Sequence, residues 1–384
     1  MKRLIFLTLL MSSLSSAAPS QALLESQSQA LLTTYRNDKP LWTWNWNWGT
    51  GILLWGLQKF AAVAEHPEVF QKPIHDFHSL HSNGPWRVMW SDQCIPALSA
   101  LELNASRGDQ PEELPVSVAK VVRYLKHTPL NAEGSLDHFS PGSPGAWFFP
   151  SSIWLDSLVM WGVFALHYGY KADPELFDFA LAQGPIYKRL LWNERDQLFY
   201  HAWNLETKAP YPLNSVYWLR GNAWVMVYLI EALSLLEPSD RRYLSLLTMY
   251  RQLSQKLASV QREDGLWGTL VLEPKTSYPE SSGSALIAYS LAKGVRLGLL
   301  EPDYADLAEG TWQGLQGQLQ GDASHLTLGQ ISAGTNPGGR EDYLRVPVRE
   351  NLNYGLGAFF LLASELGTLT TTPLPSPKTA RAFP

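Results

Sequence analysis

Asp156 is a lone carboxylate in apolar company. Within Ser151 to Tyr170, SSIWLDSLVMWGVFALHYGY, it is the single acid, set among Trp154, Leu155, Leu158, Met160 and Trp161. A carboxyl deprived of water holds its proton more tightly, so its pKa rises. An acid still protonated near neutral pH is what general acid catalysis requires. The same letters allow a plainer role. Asp156 would then lie in the first turn of a helix begun by Ser151 or Ser152 and meet the positive end of the dipole.

Further polar groups cluster beside apolar runs. Trp42 to Gly51 reads WTWNWNWGTG, and Trp86 to Ala97 reads WRVMWSDQCIPA, with Asp92 at a helix start. Asp137-His138-Phe139 precedes the Asp156 segment, and FYHAWN carries His201 in a short aromatic run. WLRGNAW places Arg220 between Trp218 and Trp224, and DGLWG leads into SYPESSGSALIAYSLAKG. Singly, each has a structural reading: a capping Asp92, loop histidines at His138 and His201, a surface Arg220, a core Trp. Together, at one end of a helical ring, they would form a carboxylate, His and Arg site in an aromatic cleft. Such a cleft suits sugars, whose C–H faces pack on flat rings. HExxH, Walker, GxGxxG and GxSxG signatures are absent from the sequence.

The elements that must position these groups are mostly helical. Apolar periodicity predicts helices near 21–36, 50–65, 91–104, 112–127, 152–169, 173–184, 218–236, 240–260, 280–298, 302–318 and 351–366. Gly298 and Gly367 mark stops, and Pro238-Ser239-Asp240 separates two helices. Alternating strand-like runs are almost absent. Helical hairpins with long aromatic loops predict an all-α fold, a six-hairpin toroid close to the (α/α)6 barrel. No Pro/Ser-rich linker divides 21–367, which reads as a single domain, and 368–384 reads as a flexible Pro/Thr-rich tail.

Composition narrows the partners. The chain is 45% hydrophobic and 17% charged with net charge -5 and no basic block, which argues against nucleic acid. Aromatics make up 12%, including 16 Trp, in keeping with a ring-lined cleft beside a large core. Residues 1–18 read as a secretory signal peptide: Lys2 and Arg3, the apolar LIFLTLLM, then the small-residue SSLSSAA. That apolar run is too short to span a bilayer. Cys94 is the sole cysteine, so no internal disulfide forms and a thiolate metal site is disfavoured. An exported chain of this kind is expected in a bacterial periplasm or medium.

The blocks IWLDSLVM, FYHAWN, WLRGNAWVMVYLIEAL, DGLW and SYPESSGSALIAYSLAKGVRLGLL follow in order, with WNWGTGILLWGLQKF before and NYGLGAFFLLASEL after. From Trp42 to Gly367 the sequence resembles glycoside hydrolase families 88 and 105, family 105 in particular. The resemblance implies the (α/α)6 barrel and an unsaturated uronyl hydrolase. Such enzymes remove the non-reducing-end Δ4,5-unsaturated uronic acid that a polysaccharide lyase leaves. An acid protonates C4 of the enol ether, water adds at C5, and the hemiketal opens to release the next sugar.

By the same resemblance, Asp156 in the WxD motif is the acid/base and Asp92 the second carboxylate. Two close carboxyls would separate in pKa and keep one protonated. His138 and His201 would contact substrate, Arg220 and Trp224 of the RGN block would bind it, Arg220 at its carboxylate or ring oxygens, and Trp218 would be a stacking platform for the sugar. Trp44 or Trp46 would wall the pocket. No metal or other cofactor is implied, and the partner is an acidic unsaturated oligosaccharide. The chain departs from the family at Ala223, at Ser157 where an acid is frequent, at Asn204 where Asp is usual, and in the inserted SPGSPGAWFF. These departures bear on substrate preference. Two alternatives stay open: another (α/α)6 sugar enzyme, such as an epimerase or ordinary glycosidase, and a non-catalytic sugar binder.

Overall fold

The computed structural model describes residues 18–81, 86–105 and 114–371. The proposed signal peptide and most of the proposed tail lie outside the described residues. The α-helices, in chain order, are α1 (Gln21–Asp38), α2 (Trp48–Ala61), α3 (Pro67–His81), α4 (Pro96–Ala105), α5 (Val116–His127), α6 (Phe164–Ala172) and α7 (Pro174–Leu191). They continue with α8 (Leu219–Leu235), α9 (Tyr243–Ala258), α10 (Ser281–Arg296), α11 (Asp303–Gln316), α12 (Arg340–Leu344) and α13 (Asn353–Thr371).

Six of these helices form an inner ring in the order α2, α4, α6, α8, α10, α13, and α13 packs back on α2. Sequence explains which helices go inside. Every residue from Leu219 to Leu233 of α8 and from Ser281 to Val295 of α10 is buried. A helix that is apolar or small all round must be surrounded. The outer α5 and α9 bury one stripe each, Val118, Val121 and Leu125 in the first and Leu246, Tyr250 and Leu253 in the second. Ring closure depends on two glycines. A Cβ on Gly56 would strike the backbone of Gly357, and one on Gly357 would strike Ile52. Buried apolar side chains from Leu24 to Leu366 form one continuous core. This is the (α/α)6 barrel expected from the sequence.

Because each outer helix returns the chain, the inner helices run in one direction. Their N-terminal ends gather at one mouth, and their C-terminal ends carry a chain of charges at the other. Lys59 of α2 lies 2.9 Å from Glu102 of α4, which stands 3.7 Å from His167 of α6. His167 also meets Glu231 of α8 at 3.0 Å, and Glu231 is 2.5 Å from Lys293 of α10. Arg296 of α10 then pairs with Glu365 of α13 at 2.7 Å. All six inner helices therefore contribute to the closed end, α10 with two ionisable groups and the others with one each.

Several elements differ from the sequence expectation. Helix α3 was not foreseen because Pro73 lies inside it. Helix α7 runs past the expected stop through Pro185. There the Tyr228 hydroxyl accepts from the Gly184 N–H and donates to the Ala180 carbonyl, which mends the interrupted ladder. Short strands also occur: β1 (Ser152–Trp154), β2 (Trp192–Asn193), β3 (Leu198–Phe199), β4 (Ala202–Asn204) and β5 (Ala209–Tyr211). Later come β6 (Leu319–Asp322), β7 (His325–Leu328), β8 (Ile331–Ser332) and β9 (Val348–Arg349). Strand β4 pairs antiparallel with both β1 and β5 in a sheet at the mouth of the barrel.

Candidate active site

Asp156 is not in the first turn of a long helix. The segment read as one helix begins as β1, turns at Leu155 to Ser157, and continues as a π-helical stretch, Leu158–Val163, before α6. The register Ser152↔Asn204, Ile153↔Trp203 and Trp154↔Ala202 holds β1 on β4. The Leu155 N–H adds a bond to the His201 carbonyl at 3.0 Å. The Asp156 carbonyl accepts from the Val159 and Met160 N–H groups, so the carboxylate projects from a strand-to-helix junction. Wide π turns recur at functional sites for this reason: they re-aim a side chain.

Asp92 arrives from a short 3-10 turn, Ser91–Gln93, ahead of α4. The Ser91 N–H bonds the His138 carbonyl, and the His138 N–H bonds the Ser152 carbonyl at 2.9 Å. His138 is thereby tied to both acid-bearing segments despite the lengthened loop after it. Asp92, His138, Asp156 and Arg220 line one hollow with Trp48, Phe139, Trp154 and the loop Gly334 to Asn336.

Hydrogen-bond partners orient both histidines. His201 Nε2 lies 3.1 Å from Asp156 Oδ2, and its Nδ1 is 2.8 Å from the Tyr343 hydroxyl. An ionised Asp156 only accepts, so Nε2 carries the hydrogen and Nδ1 accepts from Tyr343. Ser91 Oγ donates to Ser157 Oγ at 3.0 Å, and Ser157 Oγ shares a hydrogen bond with His138 Nδ1 at 3.1 Å. His138 Nε2 faces Asp92 Oδ1 at 3.7 Å. The His138 ring stacks on Trp154 at 4.2 Å with a 2° interplanar angle.

These contacts pull the two carboxyls apart electrostatically. Burial, with the charge of Asp156 beside it, pushes Asp92 up to about 8. Burial also pushes Asp156 upward, but the His201 hydrogen bond and the neighbouring His201, His138 and Arg220 outweigh it, leaving Asp156 below the usual carboxylate range. The expectation that burial alone keeps the proton on Asp156 is thus corrected for the free protein: the proton rests on Asp92. Burial drives His138 down to about 4 and lowers His201, so both rings are neutral at pH 7.

Arg220 reaches the hollow with its donors largely committed. Nη1 bonds the Ser332 carbonyl and hydroxyl and Ser282, while Nη2 bonds the Ala333 carbonyl and Thr335. Nε has no partner among the described residues. The guanidinium lies 4.8 Å over Trp218 and 4.9 Å over Tyr354, with Glu280 at 3.8 Å. Arg220 therefore fastens the Ser332 to Thr335 loop and supplies positive potential more than a free fork.

The tryptophans divide differently from expectation. Trp44 bonds the Lys39 carbonyl beside Tyr35, and Trp46 bonds the Gln93 carbonyl and packs on Trp86. Neither lines the hollow; Trp48 of the same block does. Trp218 is buried and stacks on His201 at 4.3 Å, so it supports that ring rather than offering a face to sugar. Trp224 is buried within α8. Sequence reasoning missed Trp48, Trp154, Phe139, Ser157, Tyr343 and the 334–336 loop. Trp154 had a signal, being the Trp of WxD. The loop carried none, since only the fold returns it to Arg220.

Comparison with known proteins agrees with this geometry. The profile of Glycosyl Hydrolase Family 88 matches residues 27–370. The chain is 30% identical over 256 residues to an unsaturated rhamnogalacturonyl hydrolase of Bacillus subtilis, covering 66% of this chain and 70% of that protein. It is 34% identical over 158 residues to an unsaturated 3S-rhamnoglycuronyl hydrolase of an Alteromonas species, covering 39% of this chain and 35% of that one. A possible member of family 105 from Salmonella enterica superposes with a TM-score of 0.80 at 22% identity, over 91% of this chain and 95% of that chain. With a paired-carboxylate hollow at the mouth of an (α/α)6 barrel and a family profile along nearly its whole length, the chain belongs to Glycosyl Hydrolase Family 88 and is a glycoside hydrolase.

Proposed function

We propose that the protein removes the Δ4,5-unsaturated uronic acid from the non-reducing end of lyase-generated oligosaccharides. One observation carries the reading: Asp92 and Asp156 share a hollow, and their surroundings keep one protonated and the other ionised. That is the state an acid-catalysed hydration needs. The bound uronate adds a negative charge beside Asp156, and the single proton that the pair holds, resting on Asp92 in the free protein, passes to Asp156. Asp156 delivers this proton to C4, and positive charge develops at C5 and the ring oxygen. The oxygen of a water molecule bonds to C5 while its proton passes to the carboxylate, restoring the pair. The hemiketal opens, the glycosidic bond breaks, and the next sugar leaves.

His201 fixes Asp156, and the gathered helix N-termini with Arg220 favour an anionic sugar. The leader-like residues at the start of the chain support action after export, testable by cell fractionation. The catalytic test is direct. Incubation with a lyase-generated disaccharide should erase the ultraviolet absorbance of the conjugated uronide. Asp156→Asn should lower kcat by about 10²–10⁴-fold with an unchanged circular dichroism spectrum. Wild-type activity in that variant refutes the assignment.

A further inference from the structure

Behind Asp156 stands a short column of buried groups. His201 is fully buried and is not part of the hollow's lining, so it reaches the chemistry through Asp156. Its Nε2 meets Asp156 at 3.1 Å, and its Nδ1 meets the Tyr343 hydroxyl at 2.8 Å. Tyr343 is 1% exposed and belongs to α12, which follows in sequence the Gly334 to Asn336 wall of the hollow. Two contacts hold this helix and ring in place. Arg340 pairs with Glu273 at 2.6 Å. The Tyr343 ring lies nearly parallel to Trp218, at an angle of 6°, and His201 stacks on the same indole.

The partners of the hydroxyl decide which way it donates. The Gly338 N–H donates to the Tyr343 oxygen at 3.4 Å, and burial keeps the phenol neutral by raising its pKa. Among the described residues His201 Nδ1 is its other partner. An oxygen that accepted from both would leave its own hydrogen buried and unpaired, which is costly. The hydroxyl therefore donates to Nδ1. A neutral ring that accepts at Nδ1 carries its single hydrogen on Nε2, facing Asp156. The opposite tautomer would turn a lone pair toward Asp156. A protonated Asp156 would then donate into that lone pair, and the ring would compete with C4 for the proton. Resting on the hydrolase reading, we infer that Tyr343 is a positioning residue: its hydroxyl holds His201 in the Nε2–H form and so keeps the proton of Asp156 directed at the substrate.

The test compares the full chain with its Tyr343→Phe variant on a lyase-generated unsaturated disaccharide. Phe keeps the ring against Trp218 and deletes only the hydroxyl, so a packing role predicts wild-type kinetics. Positioning predicts a fall in kcat of about 10–100-fold. KM should hold, since Tyr343 lies outside the lining of the hollow. In a His201→Gln background the same change should cost nothing further, because the group it acts through is gone. Nitrogen-15 histidine spectra supply a readout that needs no variant of Tyr343 to fold. In wild type the His201 signal, assigned by its loss in His201→Gln, should show hydrogen on Nε2 and a hydrogen-bonded Nδ1. Wild-type kcat in Tyr343→Phe overturns the inference. So do losses that multiply in the double variant, or an Nδ1–H ring in wild type. A wild type that turns over no unsaturated disaccharide overturns the hydrolase reading itself, and this inference with it.

Discussion

At the scale of residues, chemistry depends on which carboxyl keeps the proton. Asp92 is pushed up to about 8 by burial and by the charge of Asp156, while His201 holds Asp156 low. The sign follows. A raised carboxyl stays protonated in the folded chain well above its unfolded value of about 4. Its contribution to stability is complete below about pH 4 and is lost as pH climbs through about 8. The same proton serves catalysis, so kcat/KM should fall on the alkaline side with an apparent pKa near 8. A pH–rate profile checks this, and a flat profile to pH 10 would contradict it. Asp92→Asn, a neutral isostere, should gain thermal stability relative to wild type more at pH 8 than at pH 5. Ser157 shows how a departure from the family pattern gains a role: it relays a hydrogen bond from Ser91 to His138.

At the scale of elements, the informative surprise is β1. Ile153 and Trp154 are as apolar as the helix that follows, so periodicity alone does not mark the change from strand to helix. Pairing with β4, far along the chain, decides it. The charges at the closed end are likewise a matter of register between helices. The sequence reading singled out neither these charges nor their pairing, because the partner of each lies on another helix. Lys293→Met would leave Glu231 buried with its main cation gone, at a cost of about 3–5 kcal/mol in chemical denaturation. Because Lys293 lies toward the opposite end of α10 from Glu280, KM should hold at temperatures where the variant remains folded. Pairing it with Glu231→Gln should recover part of the loss, and failure to do so would argue against an ionic role.

For the whole molecule, the decisive step is closure of the ring, where the first and last inner helices meet. Gly56 and Gly357 let α2 and α13 touch backbone to backbone. Gly357→Ala should push them apart and lower stability by about 1–3 kcal/mol, read as a drop in Tm, with steeper loss for Val. From sequence alone came the helical hairpins, the six-hairpin toroid, and Asp92, Asp156, His138, His201 and Arg220 as the polar groups worth watching. These follow from local composition and short-range periodicity, which a linear chain displays. Tertiary structure decided that Trp48 and Trp154, not Trp44 and Trp46, face the hollow. It also decided that Arg220 spends its donors on a loop about 110 residues away, and that the resting proton belongs to Asp92. The reason is physical: pKa values, donor occupancy and cavity walls are set by groups distant in sequence, and only the closed ring brings those groups within a few ångströms of one another.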